Sequence, residues 1–466
     1  MVPFSRSKRN PGSEEQTMSD ALPLTAARRY RSLDGGTSVG TRCYAPDRYR
    51  FWDAGVGKAG ISRGAGLSHA PASFSKSIPS LEHRHFNRIL DFDSTANIVE
   101  VEAGVTLGQI YRFAAPRGLF LRVQPGHPKI TVGGCIGPDV HGKNQFRDGT
   151  FLNVVESLRL FHPSHGILEL SRSSNPDLFF LTCGGYGLTG NILTARLRLA
   201  PVPSYRIVQK TILIRNICEF PADLAQAAAQ NDLVYSWHDF TVRGKAFGQG
   251  VIVAGRFDRN GSSTIPVTEE DKSSSLDSAT RGPLPFSLFN RLTTPLVNRL
   301  YHASFRLQPQ ERPISFYEFL FPVRKKEIYF HLFGRRGFQE CQILVEASKF
   351  NSFVEKIRQQ LYRHPVAVAL ASAKLFRGQR ELLRFTGEGI CLALDFPRDQ
   401  ASAKFAAFLD ELMIEHNGWS YLIKDSRLSA RVVDATYPEC EQFRLRLRDF
   451  DSRRLYRSEL SERLRL

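Results

Sequence analysis

The sequence predicts an α+β protein of two parts, and three observations carry that prediction. From about residue 58 to 200, short apolar or alternating runs are broken by Gly and Pro, the pattern of strands joined by turns. After Pro201 and Pro203, strand-like and helix-like runs alternate over a longer stretch, which suits a sheet covered by helices on one face. The chain has 466 residues, 42% of them apolar, enough for two or three domains with cores of their own.

In the first part, ILDFD (89–93), IVEVEAG (98–104), VESLRLFHP (155–163), GILELS (166–171) and NILTARLRLAP (191–201) read as strands. Between them, TLGQIYRFAAPRG has apolar residues at helical spacing and stops on Gly118, so it reads as a helix. In the second part, YRIVQKTILI, VYSWHDFTV, GVIVAGRF, FYEFLFPV (316–323), ECQILVEA, VAVALASAKLF and ICLALDFP are strand-like. PADLAQAAAQ, FNSFVEKIRQQLY and SAKFAAFLDELMIEH are helix-like. From Trp419 a strand-like YLIKD (421–425) precedes polar, helix-like segments. Residues 1–20 are polar without periodicity and read as a flexible arm. Residues 258–285, rich in Ser, Thr, Asp and Pro, read as a mobile loop able to act as a lid.

The formal charge of +17 draws polyanions whatever the fold. The basic residues are spread along the chain and no nucleic-acid-binding signature accompanies them, so no nucleic-acid partner is expected. A phosphorylated substrate, or peripheral contact with an anionic membrane surface, accounts for the same charge. No run of about 18 apolar residues occurs, and the N-terminus lacks an apolar secretory segment, so the expected location is cytoplasmic, peripheral at most to the inner membrane surface. The seven cysteines stand singly, with no Cys-x-x-Cys pair, which argues for free thiols and against metal sites or a disulfide framework.

Three glycine-rich stretches carry the chemistry. GISRGAGLSHA (60–70) offers small residues whose successive backbone N–H groups can form a nest for phosphate oxygens. PGHPKITVGGCIGPDVHGKN (125–144) allows close backbone approach and then supplies polar side chains, which suits a ring held edge-on. CGGYGLTGNI (183–192) repeats the logic and leads into a strand. Each alone is consistent with an ordinary turn, and none is a dinucleotide fingerprint of the G-x-G-x-x-G type. Three such loops in this order rarely serve turns alone.

In that order, RGAGLS, PGHPKITVGGCIGPDVHGKN and GGYGLTGNI resemble the FAD-binding domain of the vanillyl-alcohol-oxidase superfamily. HGKN (141–144) and YLIKDSR (421–427) resemble, within it, the decaprenylphosphoryl-β-D-ribose 2′-oxidase family. The resemblance implies an α+β fold with a two-part FAD-binding domain, formed by residues 21–202 and a returning segment at 419–466. A substrate or cap domain at 203–418 would hold an antiparallel sheet with helices on one face. It implies that Arg63, Gly64, Ala65, Gly66, Leu67 and Ser68 wrap the pyrophosphate. Gly126, Thr131, Val132, Gly133 and Gly134 would lie along the flavin and its ribityl chain. His141, Gly142, Lys143 and Asn144 would border the ring, Ile192 the adenine side, and Tyr421 would return to touch the cofactor. Where covalent members of the superfamily place an attaching His, this chain has Leu67, so FAD is expected to be noncovalent and His69 to be only a loop residue.

For chemistry, the resemblance assigns Lys424 as the active-site lysine, a base whose pKa burial lowers or a hydrogen-bond partner of the sugar hydroxyl. Without the resemblance Lys424 reads as a surface residue paired with Asp425. Tyr317, Gln342, Lys143 and Lys374 fall where the family places substrate-pocket residues. The implied reaction is FAD-dependent oxidation of a secondary sugar hydroxyl, C2 of a polyprenyl-phosphoryl ribose, with a partner keto-reductase completing an epimerisation to arabinose. Departures touch the pocket wall, where Ala393 stands for the family's Cys and Cys391 for its Asn, and the GLTGII run, where Asn191 stands for its first Ile. A sugar-alcohol or aldonolactone oxidase of the same superfamily, or a non-catalytic flavin-binding partner protein, remain as alternatives.

Overall fold

The structure, a computed structural model, describes residues 25–46, 60–259, 283–322 and 328–466. The arm expected at 1–20 lies outside the described residues, as does the expected mobile loop apart from its ends at 258–259 and 283–285. Four sheets organise the rest. The first holds β1 (Thr25–Arg31), β2 (Ser38–Tyr44), β3 (Ile61–Arg63) and β4 (Ser80–Glu82) in the order β1-β2-β4-β3. The second holds β5 (Ile89–Asp93), β6 (Ile98–Glu102), β8 (Val155–His162), β9 (Gly166–Ser171) and β10 (Asn191–Arg198) in the order β5-β6-β10-β8-β9. Between them in sequence, β7 (Leu119–Phe120) pairs with β11 (Ala200–Pro201).

The helix Leu107–Ala114 forms where the spacing predicts it. Its start is fixed by a capping box, in which Thr106 Oγ1 accepts from Gln109 N and Gln109 Oε1 accepts from Thr106 N at 2.8 Å. Its continuation, a short 3₁₀ turn, ends at Gly118, whose φ of +70° only Gly adopts at no cost.

The largest sheet is antiparallel throughout and comprises β12 (Arg206–Ile214), β13 (Leu233–His238), β14 (Gly250–Phe257), β15 (Glu311–Ser315), β16 (Phe338–Val345), β17 (Leu370–Phe376), β18 (Gly389–Pro397) and β19 (Trp419–Ser420). Its order is β15-β12-β14-β13-β17-β18-β16-β19. The period of two sorts its faces. Ile252 and Ala254 share a core with Phe220 and Leu224 of the helix Phe220–Gln230, whereas Val251 and Val253 pack with Phe316 and Phe319 on the opposite side. The helices Ala347–Arg363 and Gln400–Glu415 cover the same side as Phe220–Gln230, through Phe350, Phe353, Phe405 and Leu409. Each of these fully buried apolar side chains contributes roughly 1.5–3 kcal/mol. The opposite face, beyond the stretch that Phe316 and Phe319 cover, is thereby left for the site.

Two local expectations are corrected. FYEFLFPV is not a strand: Phe316–Leu320 is a short helix, burying Phe316, Tyr317, Phe319 and Leu320 at helical spacing. YLIKD is not a strand either, because only Trp419 and Ser420 pair with β16. The chain then turns, Lys424 N donating to Tyr421 O at 2.9 Å.

Beyond that turn the chain packs back on the residues around 70–76. Ala70 N donates to Ile423 O at 2.9 Å, Glu459 N to Phe74 O at 3.0 Å and Leu460 N to Pro71 O at 3.1 Å. Asn191, the departure noted above, has a structural role here: its Nδ2 donates to Gly60 O at 2.9 Å and its Oδ1 accepts from Tyr456 at 2.7 Å. Among the described residues no disulfide joins the cysteines, and no helix is long and apolar enough to cross a membrane.

Candidate active site

The three glycine-rich stretches converge on one cavity of about 320 Å³. The turn after β3 contributes Gly64, Ala65, Gly66, Leu67, Ser68 and His69; the middle stretch contributes Gly126, Thr131, Gly133, Gly134 and His141; Ile192 begins beside the third, at the head of β10. Close packing explains the glycines. A Cβ on Gly64 would stand 2.2 Å from Thr131 Oγ1, and Gly66 has φ +71°. Thr131 itself caps the short helix Val132–Ile136, accepting from Gly134 N at 3.2 Å.

The cavity fits FAD on observations of the chain alone. The backbone N–H groups of residues 64–68 meet no acceptor among the described residues, so successive donors are available to a pyrophosphate. His83 is buried with Nε2 3.1 Å from Ser62 Oγ and Nδ1 without a hydrogen-bond partner among the described residues, an orphaned polar atom on the cavity wall.

At the other end, where β16, β17 and the turn after β19 meet, polar side chains gather. β16 places Glu340 and Gln342 two residues apart on one face, and Gln342 Nε2 donates to Glu340 Oε1 at 2.8 Å. Register puts Asp395 of β18 opposite Glu340, Ala393 opposite Gln342, and Cys391 opposite Lys374 of β17, so these share the face left for the site. Lys424 Nζ reaches His69 Nε2 at 3.1 Å and Glu340 Oε2 at 3.4 Å. His69 Nδ1 lies 3.1 Å from the same Glu340 oxygen. Tyr329 donates to Asp395 Oδ2 at 3.0 Å.

The charges set each other. Burial, reinforced by the Lys424 cation, pushes His69 down to about 4, so its imidazole is neutral near pH 7. Burial alone would raise Glu340, but Lys424 and His69 reverse this and hold its carboxyl below the usual range. Asp395, buried and repelled by Glu340, is pushed well above the usual carboxylate range. Burial also lowers Lys374, with Lys424 adding repulsion.

Of the residues singled out in the sequence, Lys424, Gln342, Lys374, His141 and Tyr421 line this end of the cavity. Tyr421 stacks on Phe385 at 4.7 Å, and its hydroxyl donates to Pro138 O at 3.3 Å. His141 Nε2 stands 3.4 Å from Gln342 Oε1. Others are not on the cavity wall. The Arg63 guanidinium lies 4.4 Å over the Tyr30 ring, Val132 is wholly buried in the core, and Asn144 donates to Arg122 O at 3.0 Å. Gly142 and Lys143 sit behind His141; Lys143 Nζ donates to Leu320 O at 2.7 Å, between the rings of Tyr235 and Phe319. Tyr317 packs edge-on against Tyr111 at 4.7 Å.

His69 is corrected from a loop residue to a buried member of the polar cluster. Glu340 and Asp395 were missed. The available signal was spacing: Glu340 and Gln342 on alternate positions of one strand read, and Asp395 in the strand expected beside it. Asp425, the sequence-level partner of Lys424, instead accepts from Arg427 at 3.1 Å.

Comparison with known proteins gives the same direction. The family described as FAD binding domain matches residues 57–171. Decaprenylphosphoryl-beta-D-ribose oxidase of Mycolicibacterium smegmatis is 28% identical over 418 residues, 88% of this chain and 90% of that protein. An uncharacterised protein in the mprA 5′ region of Streptomyces coelicolor is 27% identical over 376 residues, 78% of this chain and 100% of its own length. L-gulonolactone oxidase of Mus musculus is 31% identical over only 137 residues, 29% of this chain and 31% of that enzyme. Glycine loops that converge on one cavity, the matched FAD binding domain at residues 57–171 and a similarity that runs on through the second part make this chain an FAD-binding oxidoreductase.

Proposed function

We propose that the chain oxidises a secondary hydroxyl of a sugar to a ketone, with C2 of a polyprenyl-phosphoryl-β-D-ribose as the substrate and noncovalent FAD as the oxidant. The observation that carries this reading is the cluster of Lys424, His69, Glu340, Gln342 and Lys374 at one end of a cavity whose other end is built from glycine loops. When bound, the flavin supplies hydride acceptance at N5. The chain's own task is to orient the sugar and take the hydroxyl proton. Lys424 Nζ is the group placed to meet that hydroxyl; a cation beside Glu340, it takes the hydroxyl proton only as it passes one of its own to Nε2 of neutral His69, 3.1 Å away. Glu340 holds both.

The similarity to the decaprenylphosphoryl-ribose oxidase extends over both parts of the chain, whereas that to gulonolactone oxidase stops within about the length of one domain. This favours the lipid-linked sugar over an aldonolactone. The absence of a His at Leu67 supports noncovalent attachment, and a separate reductase would consume the keto product.

Anaerobic addition of polyprenyl-phosphoryl ribose to the purified protein should bleach its bound flavin. A flavin that stays oxidised with this substrate, yet bleaches with an aldonolactone, would replace the substrate assignment. A second test concerns Lys143. Burial, with repulsion from Lys374, brings it down to about 7, so it loses its charge as pH rises through neutrality. Its Nζ is engaged by Leu320 O and lies off the cavity wall, so the KM for the anionic substrate should stay flat from about pH 6 to 8; a KM that rises above about pH 7 would bring Lys143 to the substrate phosphate.

A further inference from the structure

The helix Thr293–Arg306 is built inside out. Its inward positions Thr294, Asn298 and His302, four residues apart, are polar and buried. Asn298 Nδ2 donates to Asp239 Oδ1 at 3.1 Å and to Val368 O at 3.2 Å, and the His302 ring lies 6.2 Å from Trp237. The outward stripe is apolar: Leu292, Leu296, Leu300 and Leu307 are 86%, 59%, 63% and 87% exposed. Of the fourteen large apolar side chains exposed among the described residues, eight fall between residues 286 and 307. An exposed apolar patch of this concentration marks an interaction surface.

Charge says what meets it. Residues 283–310 contain no Asp or Glu, while Arg291, Arg299 and Arg306 flank the stripe. None of the three is paired with a carboxylate among the described residues. Beside the helix lies a second hollow, of about 530 Å³, lined by Arg243, Arg291, Arg358, Arg363 and the exposed ring of Tyr362, with no carboxylate on its wall. Glu355 engages Arg358 at 2.6 Å, and the Arg243 guanidinium lies 5.4 Å over Tyr362. Arg291 and Arg363 are left for an anion.

We infer that this face docks the enzyme on an anionic bilayer, the leucine stripe entering the acyl boundary and the arginine hollow taking a phosphate headgroup. The patch is joined to the site. Leu288 N donates to Leu332 O at 2.8 Å, the Phe289 ring packs 4.5 Å from Phe333, and Phe330 of the same segment lines the flavin cavity 6.3 Å from His69. A substrate carried on a lipid would thus meet the enzyme on the side where its tail already resides.

Co-sedimentation of the FAD-loaded full chain with vesicles tests this, and needs no turnover, so it is decided separately from the ribose reading. Vesicles of phosphatidylcholine with about one quarter phosphatidylglycerol should pellet the protein, pure phosphatidylcholine should pellet far less, and salt should release it. Leu292→Ser/Leu296→Ser/Leu300→Ser should cut binding about tenfold or more with the flavin spectrum unchanged. Arg291→Glu/Arg363→Glu should abolish the preference for phosphatidylglycerol, and decides alone should the leucine variant lose FAD. No pelleting by the unaltered chain, equal pelleting by both vesicles, or a dimer that the leucine substitutions dissolve would each overturn the inference, the last by showing a second copy as the occupant.

Discussion

Lys424→Met is expected to leave FAD bound and to slow flavin reduction by the lipid-linked ribose by about 10²–10⁴-fold, the range of a lost general base. Methionine keeps the length and apolar stem of the lysine, so the turn after β19, fixed by Lys424 N to Tyr421 O and by Ala70 N to Ile423 O, has no reason to move. What disappears is the Nζ that reaches both His69 and Glu340. The loss has a second consequence. Lys424 is the strongest influence holding the Glu340 carboxyl down and also helps depress His69. Without it both groups move up, Glu340 toward protonation and His69 toward charging at mildly acidic pH. The acid limb of the pH profile should therefore shift upward along with the fall in rate. Anaerobic stopped-flow reduction across pH reads both effects. A variant reduced at the ordinary rate would leave Lys424 as a positioning residue only.

Arg427→Leu is expected to cost about 3–5 kcal/mol of stability, the cost of leaving buried carboxylates without their cation. Arg427 meets Asp410 through two bonds of 2.5 and 2.7 Å and Asp425 at 3.1 Å, and Asp425 is almost wholly buried. The pairing ties the turn that carries Tyr421 and Lys424 to the helix Gln400–Glu415 behind the sheet. Chemical denaturation measures the loss, and FAD release should accompany it at lower denaturant than in the unaltered protein. Restoring neutrality with Asp410→Asn and Asp425→Asn in the same chain should recover part of the stability, because the penalty lies in the unpaired charges. A change below about 1 kcal/mol would mean that the pair is screened as surface pairs are.

Local pattern made much of this fold readable, and its limits are specific. The strand in YRIVQKTILI alternates because one face meets a core, and Gly118 stops a helix by conformation alone. FYEFLFPV misleads because a run that is nearly all apolar carries no period; its helix is set by packing against β12 and β14. YLIKD misleads differently: its alternation suits a strand, but Tyr421 and Ile423 are buried by contacts from distant chain. The glycine loops and Lys424 were visible through their motifs. His69, Glu340 and Asp395 were not, since their proximity depends on the β16–β18 register and on joining residue 69 to residue 424, which no local signal encodes.

That last junction sets a timetable. The wall of the flavin cavity begins at Leu33 and is closed by residues near 424, so most of the chain must leave the ribosome before the two edges can meet. Contacts of such sequence separation form late and slowly. The nascent protein will expose a half-built, glycine-rich trough with no lid of Tyr421 or Lys424, and tight hold on FAD must follow synthesis rather than guide its early stages. Supply of the cofactor in the minutes after translation, and not its presence during it, would then govern how much of the protein reaches its working form.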